Sequence, residues 1–262
     1  MSAMPLPDRP RRRRRRLLVT AARLYTALLM ADPPDNWFVP APDGRYGPAD
    51  GEALTLLLLG DSLAQSIGVG AREETMGARL AQALSEATGT AVDLRVPARA
   101  GATTRVVQRQ AVRATGRCRA GVAVLVVGGN DTMLPVLVRR SARRFAQVLD
   151  VLRTAGWQVV VLPCPDPGAA PGFRAWVRWA AARRARLLAR LQTRIALRAG
   201  ALVGPSAAED FLRRAELLSA DGVHPSAVGY AEHAVRVLPV LLAAAGRGLP
   251  VTDRGVGDCA RR

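Results

Sequence analysis

The sequence predicts an α/β protein: a three-layer α/β/α sandwich around a central, mostly parallel sheet of about five strands. Three observations predict it. From Leu54 onward, short apolar runs alternate with longer stretches whose apolar positions recur at helical spacing, a βαβαβαβ rhythm. The runs Leu56 to Leu59 and Val122 to Val127 lack polar alternation, as expected of central strands covered on both faces. Finally, 262 residues that are 49% hydrophobic suffice for one domain with a sizeable core and tails, which excludes a wholly disordered basic chain.

Strand candidates lie at 54–60, 91–98, 121–129 and 157–163. Between them, helices are expected at about 75–87, 105–114 and 135–154, the last with Val138, Phe145, Val148, Leu149 and Leu152 toward one face and paired arginines toward water. The segment PCPDPGAAPG at 163–172 carries four prolines and forbids a regular element. A long helix follows at 173–197, with Trp176, Trp179, Ala180, Leu187, Leu191 and Ile195 as its expected apolar stripe. A short fifth strand at 201–203, an irregular stretch to Ser219 and a final helix at 226–245, capped by Ser226, complete the domain. The chain thus divides into a basic N-terminal segment with an apolar stretch and a Pro/Gly-rich connector (1–53), the domain (54–245) and a loose tail (246–262). In such a sheet, ligands bind outside the C-terminal ends of the strands.

Every one of the 38 basic residues is arginine, and the formal charge is +17. Seven arginines and one aspartate within residues 1–16 account for +6, eight arginines and no acid within 174–198 for +8, and the rest of the chain for +3. So high a total raises a basic nucleic-acid-binding module as one class, but two local blocks point instead to a basic tail and a basic helix. The helix is read as a solvated face, with steering of anionic substrates or attachment to an acidic membrane as alternatives. Together with the Pro163 to Gly172 loop, its two tryptophans are candidates for a pocket wall or cover. Arg11 to Arg16 precede an apolar stretch from Leu17 to Met30 broken by Arg23, a layout like that of a signal peptide. That stretch is shorter than the roughly 20 residues of a membrane span, and no A-x-A site follows it. An interfacial helix giving peripheral association with an anionic membrane through 11–30, a packed extension and an exported precursor all fit. The expected location is cytoplasmic or membrane-associated, with export as the alternative.

Cys118, Cys164 and Cys259 form no ladder and no C-x-x-C pair, and one thiol is left over whatever the pairing. Two histidines exclude a histidine-rich metal site, no metal motif surrounds them, and no cofactor is expected.

The sharpest feature is LLLLGDSLAQ, where a strand ends at Gly60 and Asp61, Ser62 and Leu63 follow at its C-terminal edge. Alone, this is also an ordinary turn or helix cap. Downstream, VVGGND at 126–131 ends another central strand, and DGVHPS at 221–226 sets Asp221 and His224 three apart before the last helix. In order, spacing and setting these blocks resemble those of the SGNH hydrolases, the GDSL-type esterases and lipases, over about residues 54–245. The resemblance implies the flavodoxin-like SGNH fold, with Ser62 as nucleophile and Asp221 and His224 as acid and base. It also implies an oxyanion hole from the Ser62 and Gly101 backbone N–H groups and the Asn130 side chain, with Gly60, Asp61, Gly128 and Asp131 in support.

Each role has a physical reason. A serine hydroxyl needs a base within hydrogen-bond reach, and imidazole ordinarily titrates near neutrality. A carboxylate on the other ring nitrogen fixes the tautomer and stabilises the imidazolium. Three converging donors stabilise the charge that develops on a carbonyl oxygen, and Gly101 is expected to permit close backbone approach. No G-x-S-x-G elbow is present, which disfavours an ordinary α/β-hydrolase. Asp61 is expected to hold the Ser62 loop, Asp131 to serve as a structural hydrogen-bonding residue, and His233 and Cys164 to pack. The function expected is hydrolysis of carboxylic esters of short to medium acyl chain through an acyl-enzyme, with acyl transfer to a sugar or other alcohol as the alternative.

Overall fold

A computed structural model of the chain describes residues 26–31, 40–206 and 214–248. The arginine block at 11–16, most of the apolar stretch before Met30 and the tail beyond Gly248 lie outside the described residues. Six strands form one sheet: β1 (Gly44–Tyr46), β2 (Leu54–Gly60), β3 (Val92–Arg95), β4 (Val122–Val126), β5 (Gln158–Leu162) and β6 (Leu202–Val203), in spatial order β1-β3-β2-β4-β5-β6. All pairings are parallel except that of β1, which runs antiparallel along β3. This edge strand is absent from the sequence-based expectation. It is three residues long in a Pro/Gly-rich segment, too short for an alternating pattern. Arg72 holds its approach by donating to the carbonyls of Pro42 and Asp43, and the Asp43 carboxylate accepts from Val96 N–H.

The apolar runs build two cores because side chains alternate across a strand. Leu56 and Leu58 of β2 face one way, into a cluster completed by helices α2 (Met76–Thr88) and α7 (Ala227–Gly248). Leu57 and Leu59 face the other way, against α3 (Thr104–Thr115), α5 (Val138–Thr154) and part of α6 (Ala175–Arg198). All five residues of β4 are buried, which is the physical content of an apolar run without alternation. Two short helices, α1 (Ser62–Gln65) and α4 (Gly129–Met133), lead directly from the C-terminal ends of β2 and β4. Successive connections leave β2 toward β3 and then return across it to β4, so the chain reverses direction in the sheet there, where this class of fold places its ligands. As expected, Ser226 caps the last helix, its Oγ accepting from Gly229 N–H at 3.1 Å.

The arginine-rich helix corrects the expected stripe. It lies where the spacing puts it, but its buried row is Val177, Ala181, Ala185, Leu188, Gln192 and Ala196. Trp176 and Trp179 are 55% and 78% exposed, and Ala180 and Leu187 also face outward, while Leu191 and Ile195 are only partly buried. The reason is steric: small side chains let a helix sit close on its neighbours, and indoles in the same row would hold it off. The helix Ala227–Arg247 is long and apolar enough to cross a membrane by composition, but it carries Tyr230, Val237, Leu241 and Ala244 into the main core and is accounted for as a core helix.

Candidate active site

Strand β2 ends at Gly60, whose φ of 154° and contact with β4 both require glycine: a Cβ there would lie 2.0 Å from the Val126 carbonyl oxygen. Strand β3 stops opposite Leu57, short of Gly60. The backbone of Gly60 is instead held by the Gln110 amide, whose Oε1 accepts from Gly60 N–H and whose Nε2 donates to the Gly60 carbonyl, each at 3.0 Å. A side chain from α3 thus stands in for a strand and fixes the strand end from which Ser62 departs. Gln110 was not foreseen, though a signal existed, since it falls in the same helical row as Val107, Ala111 and Ala114.

Asp61 caps α1, its carboxylate accepting from Leu63 N–H at 3.1 Å, and Ser62 opens the helix. The helix lasts one turn, because Ser66 closes it in the left-handed region at φ 63° with its hydroxyl accepting from Met76 N–H. Burial pushes the Asp61 carboxyl up to about 6, and the nearby Asp131 charge adds to this, against lowering by the Leu63 N–H and His224. A carboxyl with a higher pKa folded than unfolded costs the native state more as pH rises from about 4 through 6, here by about 3 kcal/mol when complete. Asp61→Asn keeps the capping oxygen and removes that cost. It should therefore exceed the native chain in unfolding free energy at pH 8 by up to about 3 kcal/mol and match it near pH 4, as read by urea unfolding at the two pH values.

The Gly101 segment and the Asn130 block are knitted to the Ser62 block. Ala100 N–H donates to Gln65 Oε1 at 2.6 Å, Arg99 N–H donates to the Gly60 carbonyl, and Asn130 Nδ2 donates to the Ala102 carbonyl at 3.2 Å. Gly101 therefore lies in a turn tied on one side to α1 and on the other to Asn130. A Cβ on Gly101 would meet nothing within 4 Å of the chain itself, while its φ of 73° is one that an L side chain resists. Gly128 packs directly on Cys164, whose buried side chain leaves no room for a Cβ, consistent with the packing reading of that thiol. Asp131 holds two helices together through its carboxylate. It is buried, with one oxygen accepting from Thr104 N–H and Oγ1 at the start of α3 and the other from Ser141 Oγ of α5.

The Asp221–His224 block forms a tight turn. Asp221 Oδ2 lies 2.6 Å from His224 Nδ1, and Asp221 Oδ1 accepts from Ser219 Oγ, Val223 N–H and His224 N–H. Burial alone would raise the Asp221 carboxyl, but the hydrogen bonds from the His224 ring and from backbone N–H groups outweigh it and bring it down to about 2. The turn sits against the segment that leaves Ser62. A Cβ on Gly68 would lie 2.5 Å from the Pro225 carbonyl oxygen, and buried Tyr230 donates its hydroxyl to the Ile67 carbonyl, while Ile67 N–H in turn donates to the Ser62 carbonyl. His233, the other histidine, is buried in α7, where burial and Arg236 lower it to about 4, so it packs as a neutral ring.

The Pro163 to Gly172 loop borders this site at both ends, through Cys164 on Gly128 and through Gly172 N–H donating to the Gly222 carbonyl at 2.9 Å. The two tryptophans expected to join it as a wall or cover, Trp176 and Trp179, are exposed. Arg184, by contrast, is not part of a solvated face: its Nη2 donates to the carbonyls of Asp131, Leu134 and Val136, where α4 ends. Among the described residues, no group of three or more His, Cys, Asp or Glu could hold a metal ion.

A central parallel sheet with Ser62 at the end of one strand, an Asn–Asp pair at the end of the next and a buried Asp–His turn beside them defines an SGNH-type α/β/α sandwich. The chain belongs to the GDSL-like lipase/acylhydrolase family, whose sequence profile matches residues 58–232. It is 37% identical over 182 residues to the GDSL-like esterase Rv1075c of Mycobacterium tuberculosis, a match that covers 67% of this chain and 58% of that protein. The chain therefore spans less than two thirds of that relative's length. In fold it is similar to the crystal structure of TesA (TM-score 0.62, 20% identity, 72% of this chain and 99% of that one). It is also similar to the psychrotrophic esterase EstA of a Pseudoalteromonas species, solved inhibited by monoethylphosphonate (TM-score 0.55, 17% identity, 74% of this chain and 95% of that one).

Proposed function

We propose that the protein is a serine esterase that hydrolyses carboxylic esters through an acyl-enzyme on Ser62. The observation that carries this reading is the 2.6 Å contact between the shielded side chains of Asp221 (Oδ2) and His224 (Nδ1), in a turn packed on the segment that follows Ser62. With its Nδ1 proton held by Asp221, the imidazole presents a basic Nε2 for the serine proton. Ser62 Oγ attacks the ester carbonyl, and the negative charge moves onto the carbonyl oxygen. The N–H groups of Ser62 and Gly101 and the remaining amide proton of Asn130 receive that charge. The imidazolium then protonates the departing alkoxide, leaving acyl-Ser62 and free alcohol. Water, deprotonated by the same His224, completes the cycle. Gly60, Asp61, Gly128 and Asp131 act by holding these groups. An alcohol such as a sugar hydroxyl in place of water would give acyl transfer with the same residues.

The test uses p-nitrophenyl esters from acetate to palmitate, with an alkyl phosphonate ester as covalent probe. The expected result is turnover highest for short to medium chains and a single phosphonyl adduct on the peptide containing Ser62. An adduct elsewhere, or turnover that survives full labelling, overturns the reading. Product analysis with added alcohol separates hydrolysis from transfer.

A further inference from the structure

The outward face of α6 is unlike an ordinary solvated helix face. Residues 176, 179, 183, 187, 190, 194 and 197 fall within a narrow arc of the helix, and its buried row lies opposite. Along this arc Trp176, Trp179, Leu187 and Leu197 are 55%, 78%, 47% and 61% exposed. Between and beside them stand the exposed Arg183, Arg190, Arg194 and Arg198, and the whole helix contains no acidic residue. At 24 residues the face is about 36 Å long.

The N-terminal segment joins the chain just before this helix, at residues 172–174. Residues 26–29 form a helical turn, Met30 pairs with Phe173, and Arg174 N–H donates to the Leu29 carbonyl. Leu29 and Met30 are buried by this docking, whereas Leu28 is left 59% exposed. The chain that reaches Leu28 is the apolar stretch headed by Arg11 to Arg16.

We propose that this face docks on an anionic lipid surface. Indole prefers the boundary between headgroups and acyl chains, leucine partitions below it, and guanidinium groups pair with lipid phosphates, so the three residue types match one layered partner. A nucleic acid would satisfy the arginines and could stack on the indoles, but offers nothing to Leu28, Leu187 and Leu197. Docking also has a consequence for substrate, which rests on the esterase reading. The segment 172–174 binds the N-terminal chain through Ala31 N–H on the Gly172 carbonyl and binds the acid–base turn through Gly172 N–H on the Gly222 carbonyl. The segment that leads into the docked helix is thus the one that holds the Asp221–His224 turn, and docking brings that turn close to the esters dissolved in the lipid.

The test is cosedimentation of the full chain with vesicles of phosphatidylcholine alone or with 30% phosphatidylglycerol, at roughly physiological salt where screening lengths are about 8 Å. Three variants are compared: Trp176→Ser with Trp179→Ser, Arg190→Gln with Arg194→Gln, and Arg11 to Arg16 all changed to Ser. The expected result is binding to the anionic vesicles only, weakened at least tenfold by each α6 pair, with p-nitrophenyl butyrate turnover unchanged. Quenching of wild-type tryptophan fluorescence by brominated lipid gives a second readout that needs no variant. Binding that the α6 pairs leave intact and only the 11–16 change removes overturns the proposal. So does arginine-dependent binding to a short DNA or RNA without vesicle binding. Because vesicle binding is read without substrate, an inactive protein that binds would overturn the esterase reading alone.

Discussion

Replacing Ser62 with alanine should lower ester turnover by about a millionfold, to a rate set by whatever the oxyanion donors and substrate positioning still supply. The size follows from what is lost: without the hydroxyl there is no covalent step, and His224 can act only on water that nothing positions. Groups that act as a unit are non-additive, so Ser62→Ala combined with His224→Ala should be hardly slower than either alone. Stability should be nearly untouched, because Ser62 is only partly buried and the cap on α1 comes from Asp61. Stopped assays on p-nitrophenyl butyrate, with circular dichroism as the folding check, decide the matter. A loss of only tenfold would mean that another group is the nucleophile.

The parts of the molecule that sequence reading reached are those in which one physical pressure acts alone. Strands β2 and β4 were legible because burial on both faces leaves no position for a polar side chain. The three blocks of the site were legible because each sits where a strand ends or a helix begins, and because they resemble a family. What escaped depends on partners distant in sequence. Strand β1 exists because Arg72 and β3 hold it. Gln65, Gln110 and Gln192 each hold backbone near the ends of the central strands: Gln65 on Ala100, Gln110 on Gly60, and Gln192 between Cys164 N–H and the Val127 carbonyl. Gln110 and Gln192 stand in apolar helical rows, and a polar residue in a buried row was the available sign. The outward face of α6 departs from the expected stripe for the converse reason: small side chains form its packing row and the large apolar ones stand outside it.

Asp221→Asn should be the more informative loss, about ten-thousandfold in kcat with the turn still folded. Asparagine can keep its oxygen in the position of Oδ1, where it accepts from Ser219 Oγ and the Val223 and His224 N–H groups. Its amide nitrogen then replaces Oδ2 and donates to His224 Nδ1 at the 2.6 Å contact, so the ring proton must move to Nε2. A ring protonated on Nε2 cannot accept the proton of Ser62, although every atom is in place. The variant also loses the stability linked to the depressed carboxyl. A carboxyl brought from its ordinary 3.8 to about 2 stabilises the fold above pH 4, and that contribution, about 2 kcal/mol, disappears as pH falls through 2. Asp221→Asn should therefore unfold more easily than the native chain at pH 7 and approach it below pH 2, while its phosphonate labelling at pH 7 slows in step with kcat. Near-native kcat in a folded Asp221→Asn protein would leave Asp221 a turn former and place the orientation of His224 elsewhere.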